Sequence, residues 1–482
     1  MKARSHLKNL TTGSPVRLLM MFSVPLLLGN LFQQAYQFTD AIVVGQLLGI
    51  EGLAAVGAGG SLIFLLMGMV WGSSSGLAIP ISKAFGARDL VATRVAVAGG
   101  TYVAIGIAAF ITAFGVGLGR PLLRLLGTPP EIFEGAWVYL AITFGGAVTA
   151  VAANYLSAAI RAVGDSKSPL MFLIAASILN AVLVVVFVGV FHWGLIGAAV
   201  TTIIAQGGAS LAGIIYVKVK IPDVVPSRAE WRAGIKAIKP AARLGIPMGL
   251  QVSVIAVGAV VLQMAINGLG TDAVAAFTAG VRVEQLATTA IFSFAIAIVT
   301  YVAQNRGAKE WTRIRVGVSR MVLASVVFSI ISGILIMIFA DYLVSLFVVN
   351  DAPAVHTLAV TFLRINGFTY WILALKMILR GSIQGLGNTL ISAIGSVLEL
   401  SMRSLAGIFL VGTFGFTAAV LAGPLAWASA TAVLIPSWFY FRRGLLRKER
   451  GEQDNIIKPP TLAIPAQPDD AAKSKLDLVT AA

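Results

Sequence analysis

The sequence predicts an all-α membrane protein, with twelve transmembrane helices in two parallel six-helix lobes around a central cavity. Three observations carry that prediction: an apolar composition, twelve runs of spanning length and an internal repeat. Mean hydropathy is +0.90, and of 482 residues 58% are hydrophobic and 12% charged, against about 25% charged in soluble domains. In lipid every backbone N–H and C=O must pair within the protein, so only helices and closed barrels span. The runs lack the period-2 alternation of barrel strands and reach the roughly 20 residues that a helical span needs.

A basic leader (Lys2, Arg4, Lys8) passes through Thr12-Gly13-Ser14-Pro15 into the first apolar run. That run is too long for a signal peptide, so it is read as a retained helix. Spans follow at about 18–46, 53–80, 95–118, 135–158, 169–190 and 194–216, then at 245–267, 273–300, 317–340, 357–380, 390–411 and 415–440. Alternate loops are rich in Lys and Arg: the leader, the Lys83/Arg88/Arg94 loop, Arg161/Lys167, the segment from Lys218 to Arg243, Arg306 to Arg315, and the tail from Arg442. The intervening loops carry Glu51, Glu131, Glu134, Asp272 and Asp351 with few basic residues, chiefly Arg120 and Arg124. By the positive-inside rule both termini are cytoplasmic, in a multi-pass protein of the cell's inner membrane.

The halves repeat each other. Leu48-Gly49-x-Glu51 recurs as Leu269-Gly270-x-Asp272, and Gly86-Ala87-Arg88-Asp89 as Gly307-Ala308-Lys309-Glu310, both at an offset of 221. Arg161-x-x-Gly164-Asp165 matches Gln384-x-x-Gly387-Asn388 at an offset of 223, and Pro25 answers Pro247. An even number of spans per half makes the halves parallel. The expected organisation is a lobe over 1–216, a cytoplasmic linker over 217–243, a second lobe over 244–443 and a disordered cytoplasmic tail over 444–482.

Several functions are excluded. Zero cysteines and three scattered histidines (His6, His192, His356) leave no thiol chemistry and no metal-ligand cluster. The net charge of +16 is spread over short loops, so it orients the chain in the membrane and does not form a nucleic-acid surface. Gly57-x-Gly59-Gly60 lacks the Lys-Ser/Thr of a phosphate loop. The chain is read as neither an enzyme nor a user of nucleotides or cofactors, and energy must come from an ion gradient.

The block from Val24-Pro25 to Asp40, the Gly86-Ala87-Arg88 loop, Arg161-Ala162-x-Gly164-Asp165 and Leu244-Gly245-x-Pro247 together resemble the multidrug and toxic compound extrusion (MATE) family. The resemblance covers about residues 15–443. Arg282-x-Glu284-Gln285 and Glu399-x-x-x-Arg403 look like the DinF-like branch. What the resemblance implies is two six-helix bundles, alternating access and coupling to H⁺ or Na⁺.

Asp40 is the one carboxylate of the first six spans inside a span. Burying a charge there costs roughly 2.5–3.5 kcal/mol on insertion scales, so an intramembrane acid is a functional candidate by default. The alternative, a structural ion pair, finds no basic residue inside those spans. Asn30, Gln33, Gln37 and Asp40 recur at helical spacing, with Tyr36 one turn before Asp40; they form a polar stripe, either a cavity wall or interhelical glue. The family resemblance adds Tyr139, Asn154, Asn180 and Thr202, of which Asn180 and Thr202 join Asp40 as coupling-ion candidates. Gln33, Tyr36, Gln37, Tyr139, Asn154, Gln251 and Glu284 are the substrate-binding candidates. Where relatives often have Asn or Asp, four residues beyond Asn180, this chain has Val184. Fewer oxygen ligands weaken a Na⁺ cage and leave a single-acid proton switch.

In the second half, Glu399 and Arg403 are spaced i,i+4 and are expected to pair with each other. Glu284 contacts substrate or forms an interhelical ion pair. Lys376 and Arg380 are expected to snorkel to the interface. The reading that follows is a monomeric H⁺-coupled antiporter for amphipathic organic cations. The alternative is a lipid-linked saccharide flippase, which would need arginines in the first lobe's cavity.

Overall fold

The structure, a computed structural model, describes residues 10–347 and 352–452, with the side chains of 38–41, 50, 53 and 61 outside that description. Ten segments are long and apolar enough to cross a membrane, and a pair bent by 47°, Pro130–Gly145 with Ala147–Ala162, makes an eleventh. The longest segment, Leu390–Glu449, has 60 residues. At 1.5 Å per residue that is about three times the hydrocarbon thickness. A break at Gly415, whose φ is 60° and ψ −143°, divides it into two spans and completes twelve among the described residues.

The helices in order are α1 (Pro15–Gly49), α2 (50–86), α3 (Leu90–Leu125), the bent α4 just given, α5 (Lys167–Val190), α6 (Gly194–Lys220), α7 (Arg228–Asn267), α8 (Thr271–Gly307), α9 (Trp311–Ile338), α10 (Pro353–Gly385), α11 (390–414) and α12 (416–449). A short helix, Ala340–Ser345, follows α9. Between α1 and α2 only Gly49 departs from helical geometry, with φ 69° and ψ −167°.

The internal repeat is written in the backbone. Left-handed residues recur at an offset of 221 as Gly49 and Gly270, Arg88 and Lys309, and Gly194 and Gly415, and at 223 as Gly164 and Gly387. A π-helical turn in α5, Val185–Val190, returns in α11 as Ala406–Leu410. The motifs have local structural causes. Gly164 turns the chain, and Asp165 then accepts from the Lys167 and Ser168 N–H groups at 3.0 and 3.1 Å, capping α5. In the second copy Gly387 turns and Asn388 accepts from the Ile391 N–H at 3.2 Å.

The basic segment expected as a linker is helical from Arg228 onward. It packs on α3 through Arg94–Glu230 at 2.6 Å and through Gly234, where a Cβ would lie 2.6 Å from Ala98 Cβ. Residues 453–482, most of the expected tail, and the leader basics lie outside the described residues.

One apolar core lies within the first half and another within the second. A third joins them: Leu10, Leu19 and Phe22 pack with Ile298, Tyr301 and Met321. This seam runs on the side of the Arg88 and Lys309 loops. There the Gln304 amide donates to Ala162 O at 2.8 Å, and Arg313 donates to Gly13 O at 2.9 Å. Gly86 and Gly307 meet across it so closely that a Cβ on either would collide with the Gln304 or Lys83 carbonyl. The seam continues along α2 and α7 as far as Ser253, which donates to Leu65 O at 3.0 Å. Beyond it Gly57 and Gly60 have no atom within 4 Å of where a Cβ would stand. The halves are sealed on the basic-loop side.

Candidate functional site

The polar positions of α1 divide between two neighbours. Asn30 donates to Ser293 at 3.0 Å and Gln34 to Thr289 at 2.7 Å, fastening the middle of α1 to α8 of the second half. Gln34 was not among the sequence candidates; its i,i+4 spacing from Asn30 was the available sign. Another part of α1 faces α5 across a cleft of about 180 Å³, lined by Phe32, Ala35 and Tyr36 on one side and by Ser177, Asn180 and Val184 on the other.

Asn180 is buried and donates to Thr202 Oγ1 at 3.4 Å, so α5 and α6 bring these two candidates together. Tyr139 packs with Val44, Val184 and Ala198. Tyr36, Asn180, Thr202 and Tyr139 therefore gather around the same region of the first half. Asp40 follows Tyr36 by one turn of α1, and its side chain lies outside the described residues. Val184 is fully buried and lines the cleft, so the position at which an extra oxygen ligand was missed does face this site. Gln33 is half-buried and Gln37 exposed. Asn154 turns its amide to its own helix, donating to Ala150 O at 2.9 Å, and is not among the residues lining the cleft.

The second half holds a different assembly. Glu399, 2% exposed, receives Lys376 at 2.9 Å and Arg380 at 3.6 Å from α10. Arg380 also donates to Ser396 at 2.7 Å and to Gln251 Oε1 at 2.8 Å, and Gln384 donates to the same oxygen at 3.0 Å. The Gln251 amide donates to Thr389 O at 3.1 Å, which leaves little of it for a ligand. Two expectations are corrected here. Glu399 pairs across to α10 and not with Arg403 of its own helix, because a buried carboxylate takes the cations that can reach it most directly. Lys376 and Arg380 do not snorkel: they are 1% and 8% exposed. Their own i,i+4 spacing placed them on one face and pointed to an acid on a neighbouring helix. Glu284 is half-buried on α8, with no cation within ion-pair distance among the described residues.

Comparison with known proteins places this geometry. The profile of the family described as MatE matches residues 25–186 and 247–422. The chain is 30% identical over 410 residues to the probable multidrug resistance protein YpnP of Bacillus subtilis, covering 85% of this chain and 89% of that protein. It is 25% identical over 392 residues to the probable multidrug resistance protein YoeA of the same organism, covering 80% and 84%. Among solved structures, MATE in the bent conformation superposes with a TM-score of 0.83 at 22% identity, over 93% of this chain and 100% of that one.

Proposed function

The chain belongs to the MatE family, a family of membrane transporters and not enzymes, and on that premise we propose that it is an H⁺-coupled antiporter exporting amphipathic organic cations by alternating access. The observation that carries the reading is the convergence of Tyr36, Asn180 and Thr202 beside the helix that bears Asp40. The names of the Bacillus subtilis relatives support small organic substrates. The described lining of the cleft is neutral, and Val184 contributes no oxygen; both favour a proton on Asp40 over a caged Na⁺.

In this mechanism a cation enters from the cytoplasm and is held by aromatic faces and by the charge of Asp40. A proton arriving from outside neutralises that charge. Release of the cation and uptake of the proton therefore occur at one group. Pro25, lacking an N–H, lets α1 bend as its polar face repacks. The lobes, 1–216 and 244–443, rock about the seam at Gly86 and Gly307, with both termini in the cytoplasm and the chain in the inner membrane. A proton moving down 100 mV supplies about 2.3 kcal/mol.

The deciding experiment measures export of a cationic dye from proteoliposomes with independently imposed pH and Na⁺ gradients. Export is expected to follow the pH gradient. Full export driven by Na⁺ alone, at equal pH and clamped potential, would overturn proton coupling.

A further inference from the structure

Two charged side chains of α8 and α11, Glu284 and Arg403, stand outside the ion pairs of Glu399. Arg403 on α11 makes no hydrogen bond or ion pair among the described residues, and its Nε is buried without a partner. Glu284 on α8 has no cation within ion-pair distance, and Arg403 is the charge that acts on it. Glu284 is in turn the charge acting on Tyr370 of α10. Tyr370 is 1% exposed, its hydroxyl has no hydrogen-bond partner, and its ring centroid lies 6.4 Å from that of Trp427. Three helices thus direct two unused donors and one carboxylate into the same neighbourhood.

Its level in the membrane is fixed by α7. The Arg403 stem packs at Gly258, where a Cβ would lie 3.6 Å from Arg403 Cδ. Gly258 is more than a turn beyond Ser253, the outermost hydrogen bond from α7 to α2 among the described residues. Arg403 is half-buried and lies beyond that contact. An unpaired guanidinium at membrane depth is costly and marks a ligand path, and a buried hydroxyl without an acceptor costs about 1–3 kcal/mol. An anionic oxygen entering from the cavity relieves both. Arginine suits it better than lysine, because its planar fork presents paired N–H donors to a carboxylate or phosphate. The field has the same sign: Lys376, Arg380 and Arg403 outnumber Glu284 and Glu399 by one charge.

We propose that the second half contains a subsite for the anionic group, carboxylate or phosphate, of an amphipathic substrate, held by the Arg403 guanidinium and the Tyr370 hydroxyl. Glu284, the carboxylate on which Arg403 acts, takes the cationic end of a zwitterion. The proposal rests on the antiport reading and widens its substrates from cations to zwitterions and anions.

The test is equilibrium binding to the purified full chain in lipid nanodiscs, using two matched probe pairs: a rhodamine with a free carboxylate against its methyl ester, and flavin mononucleotide against riboflavin. The wild type should bind the anionic member of at least one pair about tenfold more tightly, as expected for one charge-assisted bidentate contact. A preference in the rhodamine pair alone names carboxylate, and one in the flavin pair alone names phosphate. Arg403→Gln should abolish the preference while leaving the ester or riboflavin affinity unchanged, and Arg403→Lys should retain part of it. Tyr370→Phe keeps the ring on Trp427, removes only the unpaired hydroxyl, and should cut the preference about threefold; it decides the matter if Arg403→Gln does not fold. Equal binding within both pairs, or a preference that survives both variants, overturns the subsite. Proteoliposome export of the rhodamine ester under a pH gradient is measured alongside. Its failure would sink the antiport reading without touching the binding preference, and the converse result would sink the subsite alone.

Discussion

In the first half, Asn180 on α5 shares one 3.4 Å hydrogen bond with Thr202, and the described cleft lining is neutral. In the second half, α11 occupies the place that α5 has in the first, down to the π-helical turn. There Glu399 is enclosed by Lys376 and Arg380, and Arg380 also donates to Gln251 and Ser396. One backbone plan therefore carries two chemistries. The sparsely bonded wall of the first half can exchange partners with a ligand or a proton at little cost. The saturated network of the second half cannot, because removing one member strands a buried charge. Function in the first half and rigidity in the second is the contrast that mutations should expose, with Arg403 and Tyr370 as the second half's exceptions.

The largest effect is expected from Asp40→Asn, which keeps size and hydrogen bonding but removes titration. Dye export from proteoliposomes should fall to background with insertion and thermal stability retained. Binding of a cationic dye should become weaker and nearly independent of pH, whereas in the wild type it should tighten as Asp40 ionises with rising pH. Export with unchanged pH dependence in Asp40→Asn would move the coupling group elsewhere, Glu284 first.

Glu399→Leu should act in the opposite sense. It strands Lys376 and Arg380 as buried cations and should cost about 3–5 kcal/mol of stability, whereas Lys376→Met, which leaves Glu399 paired with Arg380, should cost less. Chemical denaturation in detergent measures this. A single variant with normal stability but altered pH dependence of export would erase the division between the halves.

Gly307→Ala probes the seam that both halves share. Its methyl group would meet the Lys83 carbonyl, and overpacking of this kind costs about 1–3 kcal/mol. The sealed state should lose population accordingly. Because the chain has no cysteine, a single Ser73→Cys, buried between α2 and α7, can report it. Thiol labelling should accelerate about tenfold in the Gly307→Ala background, and an unchanged rate would show that closure does not depend on this contact.

A small change in stability is expected from Asn180→Ala. The lost hydrogen bond to Thr202 is worth about 0.5–1.5 kcal/mol, so denaturation should barely move while export drops several-fold. Equal losses in stability and export would make Asn180 a packing residue.

The spans were legible because lipid is an unforgiving solvent. Runs such as 169–190 and 317–340 must be helical whatever surrounds them, and the boundaries at Gly49, Gly194 and Gly270 announce themselves by glycine at left-handed φ. The break at Gly415, inside one apolar stretch, has Gly194 as its repeat partner. The family resemblance named Asn180 and Thr202 as candidates, and the structure brings the two together beside the cleft that Tyr36 lines.

What the sequence determined by itself was therefore the local and the repeated: twelve helices, the duplication, the turn-and-cap motifs and the acid on the first helix. Tertiary structure alone decided which polar groups meet. Spacing along one helix relates Glu399 to Arg403, yet the choice of Lys376 and Arg380 depends on how α10 lies against α11. The same holds for Asn30 and Gln34, which α8 claims, and for the helical packing of residues 228–243 on α3. The reason is physical. Backbone hydrogen bonding in lipid is satisfied within each helix and so can be read in one dimension. A buried charge is satisfied by whichever opposite charge comes nearest, and that distance exists only after the helices have packed.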